Sequence, residues 1–467
     1  MRDYDEITAF LGEWGPFQIL TFLLLSLSVF PNGFGGMSIV FVGDIPEHRC
    51  FIPGNLNLSE AWMNRTIPLE QAQGKLQYSK CRRYRLDVIR NLSEIFPDPD
   101  SVNISEVEQE PCLDGWVYSK DQYISTIVSE WDLVCNDDWK MPFSMSIYFL
   151  GVLVGSLVSG MLSDRFGRKA VLFGTMAVQT SFNVLQVFSS SWEIFCLINF
   201  LIGIGQISNY VAAFVLGLFT NLHAGCCQRE GYRKQKQYSN TLQRKMVSLY
   251  QRCSSMIWRL ILAIGYYGLS LNTPNLHGDD YLNCFFAGAI EIPANLAAWL
   301  FLQKFSRKLS LSGSLFFGGI VLFFIQLIPP SVSILATVLV MVGKLANTCA
   351  FTIIYTYTAE LYATVIRNTG VGVSLMASRL GSILSPYFLF LGVYYEFLPY
   401  ILMGSLTILS AILILLLPET NNFPLPNTID QMQRMKGFKS ACNHRYYLNT
   451  NEMATEVNCV AIKNEEI

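Results

Sequence analysis

Ten runs of mostly apolar residues are spread along the chain, and they constrain its fold more than any other feature. A helix needs about 20 such residues to cross roughly 30 Å of hydrocarbon. Composition agrees, since 51% of the 467 residues are hydrophobic, 15% are charged and the mean hydropathy is +0.34. The sequence therefore predicts an all-α, polytopic membrane protein with about ten transmembrane helices. The predicted spans are 17–42, 143–162, 170–189, 193–219, 257–271, 281–302, 309–328, 334–358, 371–394 and 398–417.

The region between the first two spans, 43–141, differs from the rest of the chain in its cysteines and sequons. It holds all four N-x-S/T sequons, at Asn57, Asn64, Asn91 and Asn103, and an even set of cysteines, Cys50, Cys81, Cys112 and Cys135. Both features predict an oxidising, extracellular location with glycosylation and two disulfides. Four cysteines permit three pairings, and the alternative is a solvated loop with free thiols.

Basic residues indicate the orientation. Between positions 218 and 260 the chain has eight Lys/Arg and one acid, Glu230, whereas the 43–141 region has more acids than bases. The positive-inside rule then places 218–256 and both termini in the cytoplasm. The first sixteen residues contain Asp3, Asp5 and Glu6 and no small-residue cleavage site, so we expect the first span to remain as an anchor. The net charge of −2 is not informative about nucleic acid, but no Lys/Arg-rich tract stands apart from the membrane-edge clusters, so we expect the lipid bilayer and small solutes as partners and no nucleic acid.

A charged loop, GMLSDRFGRK (160–169), follows the second span. Its segment SDRFGRKAVLFG (163–174) matches LQKFSRKLSLSG (302–313) at five of twelve positions, as two related bundles predict. Glycine permits close helix approach and a tight turn, the acid can pair with bases, and the bases hold the turn in the cytoplasm. A latch between conformations is one interpretation, and a purely topogenic loop is the other. The residues concerned are Gly160, Asp164, Arg165, Gly167, Arg168 and Lys169.

The pattern G-x-L-x-D-R-x-G-R-K resembles the signature loop of the major facilitator superfamily. Further stretches resemble the organic cation/carnitine transporters of the solute carrier 22 family, especially the carnitine and ergothioneine carriers. They are MRDYDEITAFLGEWGPFQ, PEHRC, GQISNYVAAFVLG, TPNLHGD, YTAELYATVIRN, ASRLGSILSPYF and LPYILMGSLTIL. The resemblance covers residues 1–217 and about 265–440. It implies a two-bundle carrier that works by alternating access.

The chain departs from that family in its middle. Family members have twelve spans, with a G-x4-G-K-S segment opening the fifth and PESPRWL after the sixth, and neither stretch occurs here. A splice form and an error in the gene model both explain two missing spans. The predicted layout is a cytoplasmic N-terminus (1–16), first span (17–42), extracellular loop (43–141), spans two to four (143–217), basic cytoplasmic linker (218–256), six-helix bundle (257–418) and cytoplasmic tail (419–467).

Arg379 lies in LMASRLGSILSP, well inside a predicted span. A charge there needs a partner or a water-filled cavity, and a structural ion pair with Glu291 or Glu360 is one solution. The resemblance implies another, in which the arginine receives the substrate carboxylate through its guanidinium fork. Nearby aromatic rings predict cation–π contacts with a quaternary ammonium, although a single ring is more often packing. The candidate substrate residues beside Arg379 are Tyr355, Tyr357, Phe351 and Tyr210.

Uncharged polar residues in the first, third and fourth spans are candidate ligands of a sodium ion, because their oxygens can replace its water. They are Asn32, Gln179, Gln206 and Asn209, and interhelical hydrogen bonds are the alternative. The resemblance implies that Glu360 affects sodium dependence, whereas an ion pair with Arg367 is the other interpretation. We expect no cofactor and no metal centre beyond this coupling ion.

No arrangement of nucleophile, base and orienting residue is present, and the chain has no Walker lysine, so we predict that it is not an enzyme. The first functional prediction is a sodium-coupled secondary transporter of carnitine-like zwitterions or organic cations in the plasma membrane. The alternative is a truncated, non-transporting form of such a carrier. Carnitine, ergothioneine and other organic cations all remain open as substrates.

Overall fold

The computed structural model describes residues 16–56, 58–72, 75–104, 106–222, 242–329, 332–362, 367–393, 395, 397–415, 417, 419 and 420. These residues form fourteen α-helices and six short strands. The helices are α1 (Pro16–Val42), α2 (Glu60–Arg65), α3 (Leu86–Ile95), α4 (Ile127–Glu130), α5 (Lys140–Phe166), α6 (Arg168–Gln186), α7 (Trp192–Leu222), α8 (Leu242–Leu271), α9 (Asp280–Ala289), α10 (Glu291–Lys304), α11 (Arg307–Phe324), α12 (Ser333–Leu361), α13 (Arg367–Phe390) and α14 (Leu398–Leu415).

The strands all lie in the region between α1 and α5. They are β1 (His48–Cys50), β2 (Leu69–Ala72), β3 (Lys75–Tyr78), β4 (Arg82–Tyr84), β5 (Gln109–Pro111) and β6 (Trp116–Tyr118). They pair antiparallel as β1 with β6, β2 with β3 and β4 with β5. Of the three possible cysteine pairings, the structure has Cys50–Cys112 and Cys81–Cys135. Both bonds close long loops, which restricts the unfolded chain and compensates for a small core.

Six described helical segments are long and apolar enough to cross a membrane, and three shorter apolar helices accompany them. The predicted count of ten spans stays a prediction. The predicted span 281–302 is divided into α9 and α10, with Ile290 between them. Pro293, in the first turn of α10, has no amide hydrogen to donate back into α9, so the continuous ladder stops there. The predicted linker 218–256 is also partly helical, since α7 reaches Leu222 and α8 begins at Leu242.

The long helices form two bundles. In the first, α7 packs against α1, α5 and α6. Glycine makes this possible, because a Cβ on Gly151 of α5 would lie 2.1 Å from the Phe200 carbonyl oxygen of α7. In the second, α8 packs on α13 and α11 packs on α14. Helix α12 contacts α8, α10 and α11. The bundles meet where α5 packs on α13, and Ser146 Oγ donates to the Ile383 carbonyl at 2.8 Å.

The two matching charged segments occupy equivalent junctions. Gly167 links α5 to α6 with φ of +84°, a conformation that favours glycine. Ser306 links α10 to α11, where its hydroxyl accepts from the Leu309 amide as an N-cap. Each junction therefore joins the second and third spans of its bundle. Arg165 and Lys169 are exposed, whereas the exposure of Gly160 and the side chains of Asp164 and Arg168 lie outside what the structure describes.

Candidate functional site

Arg379 projects from α13 toward the contact between the two bundles. Its Nη1 donates to the Tyr267 hydroxyl of α8 at 3.1 Å. The Tyr267 ring contacts the Phe149 ring of α5, with centroids 5.0 Å apart, so the guanidinium lies beside the contact of the two bundles. No carboxylate among the residues that the structure describes lies within 4.0 Å of it. A guanidinium with hydroxyl neighbours and no acid is suited to receive an anion.

The two acids considered as ion-pair partners of Arg379 are engaged elsewhere. Glu291 accepts a hydrogen bond from the Tyr266 hydroxyl at 2.8 Å and lies 3.9 Å from Lys344 Nζ. Glu360 Oε1 accepts a hydrogen bond from Arg307 Nε at 3.3 Å. In this conformation, the structural ion pair is therefore not the arrangement around Arg379.

A chain of aromatic contacts connects the bundles beside Arg379. Each ring in it has its centroid 4.8–5.5 Å from the next, which is contact distance for aromatic pairs. The order is Tyr148, Phe149, Tyr267, Tyr266, Phe351 and Tyr355. Tyr355 is 40% exposed, so part of its ring remains accessible to a ligand. Sequence analysis found only Phe351 and Tyr355, although the adjacent tyrosines of the GYYG segment are a signal that it did not use.

Two predicted substrate residues are not placed at this site. Tyr357 is fully buried, and its ring packs against Trp258 with centroids 6.1 Å apart. It belongs to the packed core of the second bundle, and its role as a substrate residue stays a prediction. Tyr210 lies in α7, but its side chain is outside the described residues.

The candidate sodium ligands lie on three helices that approach one another around residues 205 and 206 of α7. A Cβ on Gly205 would lie 3.2 Å from the Gln179 Cβ of α6, and a Cβ on Gly36 of α1 would lie 3.5 Å from Gln206 Nε2. Gln179 is buried. Asn32 precedes Gly36 by one helical turn, and Asn209 follows Gln206 by three residues, but the side chains of Asn32 and Asn209 are outside the described residues.

Glu360 is part of a charged cluster at the end of α12. Besides its bond with Arg307, the carboxylate accepts a hydrogen bond from the Thr420 hydroxyl at 2.7 Å. Glu419 Oε1 accepts from the Arg307 amide at 3.0 Å. The pairing partner is thus Arg307, whereas Arg367, the partner considered from the sequence, has its side chain outside the described residues.

A polar contact joins the region 43–141 to the second bundle. The carboxylate of Asp280, at the start of α9, accepts hydrogen bonds from the Tyr123 hydroxyl at 2.8 Å and from the Gln122 side-chain amide. The ring of Phe41 stacks on that of Tyr281 at 5.2 Å. Half-buried Asp44 faces the same cluster, and burial raises the pKa of its carboxyl above the usual 3.8. These contacts link the two bundles at the end opposite the charged loops.

Three of the four predicted glycosylation sites can be located. Asn64, Asn91 and Asn103 are exposed, and Asn57 lies outside the described residues. A separate cavity of about 290 Å³ lies within the first bundle, with Tyr148, Asn183 and Asn199 in its wall. Arg379 does not line it, and Tyr148 is the residue that the cavity shares with the aromatic chain.

Comparison with known proteins gives consistent relatives. The profile of the sugar (and other) transporter family matches residues 104–215. The organic cation/carnitine transporter 2 of Mus musculus is 49% identical over 531 residues, which cover 94% of this chain and 95% of the relative. The human protein of the same name is 47% identical over 532 residues, with the same coverage. Solute carrier family 22 member 4 of Mus musculus is 43% identical, over 94% of this chain and 96% of that relative.

Each of these alignments is longer than the 467 residues of the chain, which is therefore shorter than its relatives. Among solved structures, a D-xylose–proton symporter matches with a TM-score of 0.47 at 14% identity, covering 62% of this chain and 90% of that one. The inward-open xylose transporter XylE from E. coli matches with a TM-score of 0.46 at 15% identity, covering 63% and 88%.

Proposed function

The chain belongs to the organic cation/carnitine transporters of solute carrier family 22, and on this premise we propose that it moves carnitine-like zwitterions by sodium-coupled alternating access. It is a multi-pass membrane transporter of the major facilitator type and not an enzyme. The relatives' names support organic cations and carnitine as the broad substrate class. The zwitterion, the coupling to sodium and the plasma-membrane orientation with both termini inside are the finer parts of the proposal.

The environment of Arg379 supports the zwitterion most directly. Its guanidinium bonds the Tyr267 hydroxyl and no described acid, so it can receive a carboxylate in a site of low dielectric. Phe351 and Tyr355 lie on α12, where the Phe351 ring and the exposed part of the Tyr355 ring can contact an ammonium. The carboxylate of a zwitterion would neutralise Arg379 while its ammonium contacts the aromatic rings.

The approach of α1, α6 and α7 at Gly205 and Gln206 supports sodium coupling. Close approach at Gly205 and Gly36 puts Gln179 and Gln206 where their helices meet, and amide oxygens are ligands that such an ion accepts. The contact of α5 with α13 then supplies a route by which an ion in the first bundle acts on a substrate held in the second.

Uptake of radiolabelled carnitine into cells expressing the full chain tests this function. We expect saturable uptake that falls several-fold when lithium, which is not an organic cation, replaces sodium in the medium. The matched control is the R379A variant at equal surface level. Uptake equal to that of untransfected cells, with the protein at the surface, would contradict transport.

One observation favours the alternative of a non-transporting form. Only 17% of the apolar window in Asp280–Lys304 is buried, against at least 33% in each of the other long spans. The chain is also shorter than its relatives, so a neighbouring span can be missing beside α9 and α10. A protein that reaches the surface, binds carnitine and does not transport it would match this alternative.

A further inference from the structure

Arg259 is a second arginine inside the helical bundle, and only 2% of it is exposed. It lies on α8, seven residues before Tyr266, or about 10 Å along the helix axis. Its Nη2 donates to Thr358 Oγ1 at 2.8 Å and to the Ile354 carbonyl at 3.3 Å, and its Nε donates to the same hydroxyl at 3.3 Å. These acceptors are all neutral, so they orient the guanidinium and leave its charge uncompensated.

Positive charges outnumber negative charges among the described residues around the site. Within the described ranges, neither Arg259 nor Arg379 has a carboxylate within 4.0 Å. The nearest available acid to the aromatic chain, Glu291, is bound by Tyr266 and faces buried Lys344, which is 1% exposed. Glu291 and Lys344 cancel one another, and two guanidinium charges remain. A buried charge without a counter-charge is costly, and an anionic group of a ligand relieves that cost.

Tyr355 is the ring of the aromatic chain that contacts Arg259. The Arg259 Cζ lies 4.9 Å from the Tyr355 ring centroid, in cation–π geometry. Ring contacts through Phe351 and Tyr266 connect Tyr355 to Tyr267, whose hydroxyl accepts from Arg379. Arg259 thus occupies a face of the ring that would otherwise attract a cationic substrate.

From this geometry we infer that Arg259 is a specificity residue of the binding site, which selects solutes that carry a carboxylate and rejects cations that carry none. The inference rests on the proposed function, because it requires that substrate binds between Arg379 and Tyr355. A carboxylate offsets one of the two uncompensated charges. A simple quaternary ammonium adds a third cation and offsets neither guanidinium charge.

The test is equilibrium binding of radiolabelled carnitine and tetraethylammonium to the purified full chain in lipid nanodiscs. The wild type is compared with R259M and R259Q, which remove the charge, and with R259K, which keeps it. We expect the two neutral variants to raise the affinity ratio of tetraethylammonium to carnitine about tenfold, since a like charge beside the Tyr355 ring is removed. We expect R259K to retain the wild-type ratio within about twofold.

An unchanged affinity ratio of the two ligands in folded R259M and R259Q would overturn the inference. A tenfold shift of that ratio in R259K would also overturn it, because it would show that packing of the side chain matters and its charge does not. Loss of folding in both neutral variants, judged by size-exclusion profile, would assign Arg259 to structure alone and also overturn it. R379A distinguishes the two levels. If R379A abolishes carnitine binding and R259M leaves the selectivity unaltered, only this inference is contradicted. If the wild type binds neither ligand, the proposed function is contradicted as well.

Discussion

Arg307 and Glu360 join the loop between α10 and α11 to the end of α12, with Arg307 Nε 3.3 Å from Glu360 Oε1. Both side chains are about one-fifth exposed, so solvent weakens the pair. We expect R307Q and E360Q each to lower the free energy of unfolding by about 1 kcal/mol, and the double variant to lose less than the sum. Thermal unfolding of the purified variants measures this, with K308Q as the control on the neighbouring residue.

The same variants distinguish a structural role of Glu360 from a role in sodium coupling. If the pair is structural, both substitutions change the maximal uptake rate and leave the sodium concentration for half-maximal uptake unchanged. A shift of that concentration by E360Q, without a shift by R307Q, would instead assign Glu360 to coupling.

The exposed sequons predict glycosylation of the region 43–141. Glycosidase treatment of the protein from mammalian cells should increase its gel mobility, because Asn64, Asn91 and Asn103 are accessible. N64Q, N91Q and N103Q should each reduce that shift by one step. Mobility that glycosidase leaves unchanged, in cells that glycosylate a control protein, would place the region on the other side of the membrane.

The contact around Tyr123 predicts a dependence on pH. Burial and the neighbouring Asp280 raise the pKa of Asp44, so the folded protein binds this proton more tightly than the unfolded chain. The stability of the contact therefore increases as the pH falls and is lost as the pH rises through the raised pKa. Melting temperatures between about pH 4 and pH 7 should show a smaller pH dependence for D44N than for the wild type.

Asp121 provides the matched control for that measurement. It is an exposed acid on the same segment, and its carboxylate bonds Ser119. D121N should retain the wild-type pH dependence. Equal slopes for D44N and the wild type would show that the Asp44 proton does not contribute.

The charged loop after α5 gives a prediction about rate. D164N and R168A should lower the maximal rate of uptake about tenfold and change the apparent KM less than twofold, because the loop lies at the end of the bundle, away from Arg379. K169Q is the control within the same loop. A rise in apparent KM at an unchanged maximal rate would contradict the latch interpretation.

Much of the helical architecture could be predicted from the sequence, because each apolar run is local and long. Glycine at position 167 likewise predicted a turn, and the structure has φ of +84° there. The cysteine pairing could not be predicted, since Cys50–Cys112 and Cys81–Cys135 depend on contacts more than fifty residues apart. The break at Ile290 was missed because hydropathy does not register the amide that Pro293 lacks.

The site was harder to predict because it depends on which face each helix presents. Tyr355 and Tyr357 are two residues apart on α12, so they point to nearly opposite sides, and only Tyr355 reaches the aromatic chain. Arg259 was counted among the cytoplasmic bases, yet α8 buries it against Thr358. Tyr267, which holds Arg379, lies 112 residues before it, and no local pattern links the two.

The central claim is that Arg379 receives the substrate carboxylate, and one comparison tests it most directly. Binding of radiolabelled carnitine and of its carboxylate-free counterpart, a quaternary amino alcohol, is measured for the wild type, R379A and R379K at equal amounts of folded protein. We predict that R379A weakens carnitine binding about 100-fold, because a charge-assisted hydrogen bond is lost, and leaves the amino alcohol within about threefold. R379K should recover part of the carnitine affinity, since it keeps the charge without the planar fork. Equal loss of both ligands in folded R379A would contradict the claim.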